Sequence, residues 1–293
     1  MAEIHVIGGA GETLDRPAIR TLTLHDLGDA LRKGWDDFSE MPSHAIFLCL
    51  IYPLVGIFLI GLAFGYSVLP LLFPLAAGFA LVGPLAAVGL YELSRRREAG
   101  LDSDWTHVFD VLRSSSLPAI IALGLLLMGI FLAWLGCAQA LYQSLFGYLP
   151  PQSYSQFIHD VLTTNAGWKL MLWGNLIGFG FAVVALVVSV VSFPLLVDRD
   201  VGAAVAITTS VRAVAANPGV MAAWGLIVAV LLFLGSLPAF IGLAVVIPVL
   251  GHATWHLFRK AVDARMCRQV GFRSQQEGRH HVADFPVSLF TRR

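Results

Sequence analysis

Histidines are the residues in this chain best suited to chemistry. His252 and His256 lie one helical turn apart in GHATWHLFRK, so both imidazoles fall on one face. Paired imidazoles at that spacing can hold a metal ion, and a single imidazole can ligate haem iron. His44 and His107 lie on the same side of the expected bilayer, which makes a two-helix haem site conceivable. The plainer reading sets His256 at an interface beside Arg259 and lets His252 bond a neighbouring helix. Histidine near a helix C-terminus is in any case favoured by the helix dipole. Glu92 and Asp198 stand beside arginines just past long apolar runs. Carboxylates inside a membrane suggest proton coupling, but no Asp, Glu, Lys or Arg falls within the apolar cores, which argues against a proton-driven pump. Uncharged polar residues in those runs are few. Gln139, Asn175 and Ser189 are the candidates for a buried polar site, although Gly174-xxx-Gly178 beside Asn175 equally suits close helix packing.

Other chemistry is missing at the level of motifs. There is no Ser/His/Asp pattern, GxSxG, HExxH or P-loop. Residues 6–11, VIGGAG, lack the βαβ context that a dinucleotide loop needs. Cys49, Cys137 and Cys267 form neither a disulfide framework nor a zinc motif. No enzyme activity and no cofactor is expected.

The elements that carry these residues are set by composition. Apolar residues make up 57% of the 293-residue chain and charged residues 13%, about half the share of an ordinary globular protein. Mean hydropathy is +0.76, which places the chain in the membrane class. Lipid offers backbone groups no partners, and the runs lack the alternation of a barrel, so the fold class is all-α, a polytopic bundle. Six spans are expected at 44–65, 69–91, 118–141, 170–197, 220–237 and 238–258. They form a membrane domain over 24–258, between a tail at 1–23 and a basic tail at 259–293. Residues 24–41, 102–116, 153–165 and 200–216 read as helices lying at the interfaces. In the first, Leu24, Leu27, Leu31, Trp35 and Phe38 share a face.

Charge sets the orientation. Six spans leave Lys169 as the single one of nineteen Lys and Arg residues on the far side. By the positive-inside rule both termini are cytoplasmic. The N-terminal stretch has no signal-peptide pattern, so the first span is expected to direct its own insertion. Tyr148 and Trp168 flank the outer linker at headgroup level. Residues 1–43 carry eight acids and four bases, and 259–293 carry three acids and eight bases. The basic tail suits anionic headgroups at about 1 kcal/mol per charge, or else it docks on the acidic N-terminal stretch. Nothing suggests a nucleic-acid partner.

The lead-ins to spans 1, 3 and 5 look alike. Each begins with an aspartate and ends in a proline, at Pro42, Pro118 and Pro218. Asp200 would cap the third lead-in helix. The exits of spans 2, 4 and 6 carry Pro84, Pro194 and Pro248, with Glu92 and Asp198 beyond the first two. Three parallel repeats of surface helix plus hairpin are one reading, and common loop signals are the other.

The stretches GPLAAVGLYELSRRREAG, GWKLMLWGNLIGFGFA, SFPLLVDRDVGAAVAITTSVRAVAANP and PVLGHATWHLFRKAV resemble a bacterial family of inner-membrane proteins of unknown function, over roughly residues 20–265. Some of its members carry the label of a cytochrome c oxidase subunit. The catalytic oxidase subunit needs about twelve spans and deep histidine ligands, which this chain lacks. The resemblance implies no catalytic residues. The favoured expectation is a non-enzymatic accessory, assembly or scaffold protein with a membrane-protein partner. A small-solute transporter or channel is the alternative, and a haem-binding redox protein a distant third.

Overall fold

A computed structural model describes residues 17–41, 56, 66–238, 241–265, 267 and 269–271. The expected first span, His44, Cys49, the 6–11 stretch and most of the C-terminal tail lie outside the described residues. Ten α-helices are described: α1 Leu24–Glu40, α2 Leu72–Ala86, α3 Val88–Glu98, α4 Leu117–Phe146 and α5 Tyr154–Thr163; then α6 Asn165–Ser189, α7 Ser192–Asp198, α8 Gly202–Ala216, α9 Pro218–Ser236 and α10 Leu243–Ala261. Two 3₁₀ helices, Tyr66–Leu71 and Trp105–Arg113, join them, and two short strands, β1 Ala18–Ile19 and β2 Val262–Asp263, pair antiparallel.

Among the described residues, three helical stretches are long and apolar enough to cross a membrane: α4 with 30 residues, α6 run together with α7 over 34, and α9 with 19. Only 17% to 33% of their most apolar windows is buried, so most of that apolar surface faces outward, as lipid-facing helices require. The expected first span lies outside the described residues, so the count of six spans is not confirmed. The expected span at 69–91 divides into a 3₁₀ turn, α2 and α3, with the break at Ala87 just after Pro84. Alone, α2 is about 22 Å long, short of the ~30 Å hydrocarbon core. The span at 170–197 breaks between α6 and α7, and Pro194 falls in the first turn of α7, where its missing N–H is no loss. Ser210 of α8 mends that break: its Oγ donates to Val187 O (2.7 Å) and accepts from Val191 N (3.3 Å). Pro248 lies inside α10 without interrupting it.

The lead-in segments differ from one another in detail. Thr23 and Asp26 form a capping box on α1. The second lead-in is the 3₁₀ helix Trp105–Arg113, where an interfacial α-helix was expected. Asp200 does not cap α8. The cap position belongs to Val201, and the chain enters the helix through Gly202 at φ +75°, a left-handed conformation open to glycine. The outer linker does form a helix, α5, capped by Ser153, with Ile158, Leu162, Trp168 and Tyr148 exposed around it.

A dense block forms where α3, α7 and the C-terminal half of α10 meet. Leu93, Phe193, Leu195, Leu196, Trp255 and Phe258 are almost wholly buried there. Antiparallel to α10 runs α1, but its buried face is Leu27, Ala30, Gly34, Asp37 and Phe38, while Leu24 and Trp35 of the expected face are exposed. The reason is close packing rather than hydrophobicity. A Cβ on Gly34 would stand 2.6 Å from the backbone nitrogen of Ala253, so the small residues set which side turns in. The lead-ins and exits interlock in order. Trp105–Arg113 packs on α3, α8 packs on α7, and α1 closes the circle on α10.

Candidate functional site

The two histidines singled out by spacing do share a face, and what they face is a carboxylate. Asp37 of α1 is buried between α3 and α10. Its Oδ2 accepts from Ser94 Oγ at 2.6 Å and lies 3.0 Å from His256 Nε2, while Arg97 pairs with Oδ1. Ser94 Oγ is also 2.7 Å from His252 Nδ1. Donor accounting fixes the tautomer. Ser94 gives its one hydrogen to Asp37, so His252 must donate from Nδ1 and carry a bare Nε2. That Nε2 is buried and has no hydrogen-bond partner among the described residues.

Burial pushes the Asp37 carboxyl up. The hydrogen bonds from His256 and Ser94 reverse this and hold it below the usual carboxylate range. Within the cluster, His252 Nδ1 and His256 Nε2 are both turned to other protein groups. His107 is likewise turned to Asp110, at 2.7 Å. Among the described residues no group of three or more His, Cys, Asp or Glu is placed to hold a metal ion.

A second network ties the exits together. Glu92, which is buried, takes two hydrogen bonds from Arg95, both 2.7 Å. Asp198 accepts from Arg199 (3.0 Å) and Arg259 (3.3 Å), and Arg259 also reaches Glu98 at 3.1 Å. Trp255 Nε1 donates to the same Glu98 at 3.0 Å. Outside this, Lys260 pairs with both Asp26 and Asp29 at 2.9 Å, which pushes the Lys260 amine up and holds both carboxyls low, Asp26 to about 2. For Asp26 the bonds from Thr23 act most strongly. Arg20 pairs with Asp263 beside the β1–β2 contact. So the acidic N-terminal stretch docks on the start of the basic tail. Arg259, Lys260 and Arg265 all hold carboxylates of this chain, and the remaining basic residues of the tail lie outside the described residues.

The polar trio does not assemble. Asn175 is exposed and donates to Met171 O of its own helix. Ser189 is buried and donates to Ala185 O. Fourteen residues separate them along the α6 backbone, about 21 Å at 1.5 Å per residue. Gln139 Oε1 is buried without a partner among the described residues, on α4. Gly174 and Gly178 serve packing: a Cβ on Gly178 would meet the Trp134 ring at 2.9 Å. Sequence reasoning missed Asp37, Ser94 and Arg97. Asp37 follows Ala30 and Gly34 at helical spacing, and that stripe of small residues was the available signal.

The long outward-facing apolar helices make this a helical integral membrane protein. More particularly, residues 71–198 match the family described as "Predicted integral membrane protein (DUF2189)", an uncharacterised multi-span membrane family. No curated protein and no solved structure matches the chain.

Proposed function

We propose that the protein is a non-enzymatic accessory, assembly or scaffold protein of the bacterial inner membrane, working without a cofactor. The observation that carries this reading is where the charges go. Among the described residues, every Lys and Arg except Lys169 and Arg212 pairs with a carboxylate of the same chain. Side chains that could serve a substrate are thus engaged with carboxylates of the same chain, and Arg20, Arg96, Arg97, Arg259 and Lys260 use theirs to join separate segments into a block on an apolar anchor. The lysine and arginine asymmetry supports cytoplasmic termini and a cytoplasmic position for the block. The cyclic packing of lead-ins on exits supports three parallel repeats. Partners in this reading are the bilayer, anionic headgroups at the C-terminal tail, and a membrane protein. A respiratory complex is the first to look for, because of the label some resembling proteins carry.

Purification in mild detergent tests the proposal. A partner recovered at fixed stoichiometry supports it. A lone monomer or homo-oligomer, together with solute uptake into vesicles, overturns it in favour of a transporter. A Soret band lost in His252→Ala would instead establish a haem protein.

A further inference from the structure

The ring of lead-ins and exits is covalently continuous at two of its three contacts. Trp105–Arg113 follows α3 directly, and α8 follows α7 directly. The third contact, α1 on α10, joins segments more than two hundred residues apart, so no short linker ties the two together. Lys260 with Asp26 and Asp29, Arg20 with Asp263, and Asn217 with the backbone of Arg20 and Leu22 help to hold residues 17–41 in place, and so does the Asp37 cluster, which contains a wholly buried imidazole whose bare Nε2 has no partner among the described residues. We propose that residues 17–41 form a detachable strap, closed on α10 through Asp37, Ser94, His252 and His256, and released when His252 takes a second proton.

The surroundings of His252 give the direction. From α1 it faces Asp37, whose Oδ2 is 3.8 Å from Nδ1. From α3 it faces Ser94, and the Arg97 cation acts on it. On its own helix His256 is one turn away, and the one charge on α7, Asp198, is turned to Arg199 and Arg259. The sequence of α9 holds no titratable group. A proton added at Nε2 therefore meets no acceptor among the described residues, and it brings a charge into a site that already holds Arg97. In the released strap the imidazole is free to charge. The bond between His256 and the Asp37 carboxylate opposes release. His256 thus limits the response that His252 drives.

If the closed form excludes the second proton and the released form titrates near 6.5, the opening constant rises up to about 25-fold between pH 7 and pH 5. Hydrogen exchange by mass spectrometry on the full-length protein in nanodiscs reads this directly, after correction for intrinsic exchange. Protection of amides in 24–40 is expected to fall by up to about that factor, with α4 unchanged. His252→Asn keeps a donor at the Nδ1 position and cannot charge, so the pH step should vanish. His256→Gln should weaken protection at pH 7 and steepen the step. Strap protection that does not change with pH overturns the proposal, as does a step that survives in H252N or one shared equally by α4. Should H252N not fold, exchange at the His252 ring carbon in the wild type decides. Its titration must track strap release, and an imidazole that titrates while the strap stays protected sinks the idea.

Discussion

The two halves of this molecule are stabilised by different means. Along α4, α6 and α9 the side chains are apolar and mostly outward, and helix contacts rely on small residues, as where Gly178 receives the Trp134 ring. Such helices satisfy their own backbone and need little from each other. At the end where α1, α3, α7 and α10 meet, the interior holds Asp37, Glu92, Ser94, Arg199 and His252, each tied to residues of the surrounding segments. A buried ion pair is weak evidence for net stability, yet removing one partner is costly because the other is left behind. The block should therefore be sensitive to single polar changes, and the apolar half indifferent to them.

Asp37→Ala is the sharpest way to break that contrast. It strips Ser94, His256 and Arg97 of a shared acceptor and should destabilise the block by about 3 kcal/mol, the lower end for a broken buried pair because Arg97 is partly exposed. Asn175→Leu, on an outward face of α6, should shift stability by less than about 0.5 kcal/mol. Chemical denaturation in matched detergent, read by exchange in α1 and α6, compares them. Similar losses in both variants would dissolve the distinction.

Glycines give the next largest difference. Gly34→Ala pushes a methyl into the Ala253 backbone, and overpacking of that kind costs about 1–3 kcal/mol. Gly180 has nothing within 4 Å of a built Cβ, and Gly180→Ala should be neutral or stabilise by up to about 1 kcal/mol through helix propensity. A melting temperature that falls for G34A and holds or rises for G180A is the expected pair of results.

The same contrast explains what could be read in advance. The lengths of α4, α6 and α9 follow from runs of adjacent residues, each answering to lipid. The block depends on partners far apart in sequence: Ser94 is 57 positions from Asp37, and His256 is 219. Spacing showed that His252 and His256 share a face, but not that an aspartate of α1 lies opposite. Hydrophobicity grouped Leu24 and Trp35 with Leu27 and Phe38 on the apolar face of an interfacial helix, but a pattern of apolar residues cannot register a contact set by Ala30 and Gly34. The expected cap at Asp200 gave way to Gly202 for a similar local reason: a left-handed residue already begins α8.

Acid separates the halves by a route distinct from the strap. Asp26 and Asp37 have folded pKa values below their usual range. Such groups contribute stability that is fully present above the ordinary carboxylate value and is lost as pH falls through the depressed one. Protection in α1 should then drop between about pH 4 and pH 2, while α4, which has no carboxylate, keeps its own. A strap that stays protected at pH 2 would mean the ion pairs add nothing.

The smallest expected effect is at the rim of the block. Lys260 reaches Asp26 and Asp29 across the α1–α10 contact, but all three are partly exposed. Pairs of that kind contribute less than about 1 kcal/mol and are screened over ~10 Å at 0.1 M salt. Lys260→Met keeps the aliphatic stem and removes the charge, so exchange in the first turns of α1 should rise slightly at low salt. At 0.5 M salt the variant and the wild type should converge. Asp37 and His252 are buried, so the Asp37 cluster should respond less to salt over the same range. If salt loosened Asp37 as much as Lys260, the block would be wet throughout, and its difference from the apolar helices would be one of sequence only, not of packing.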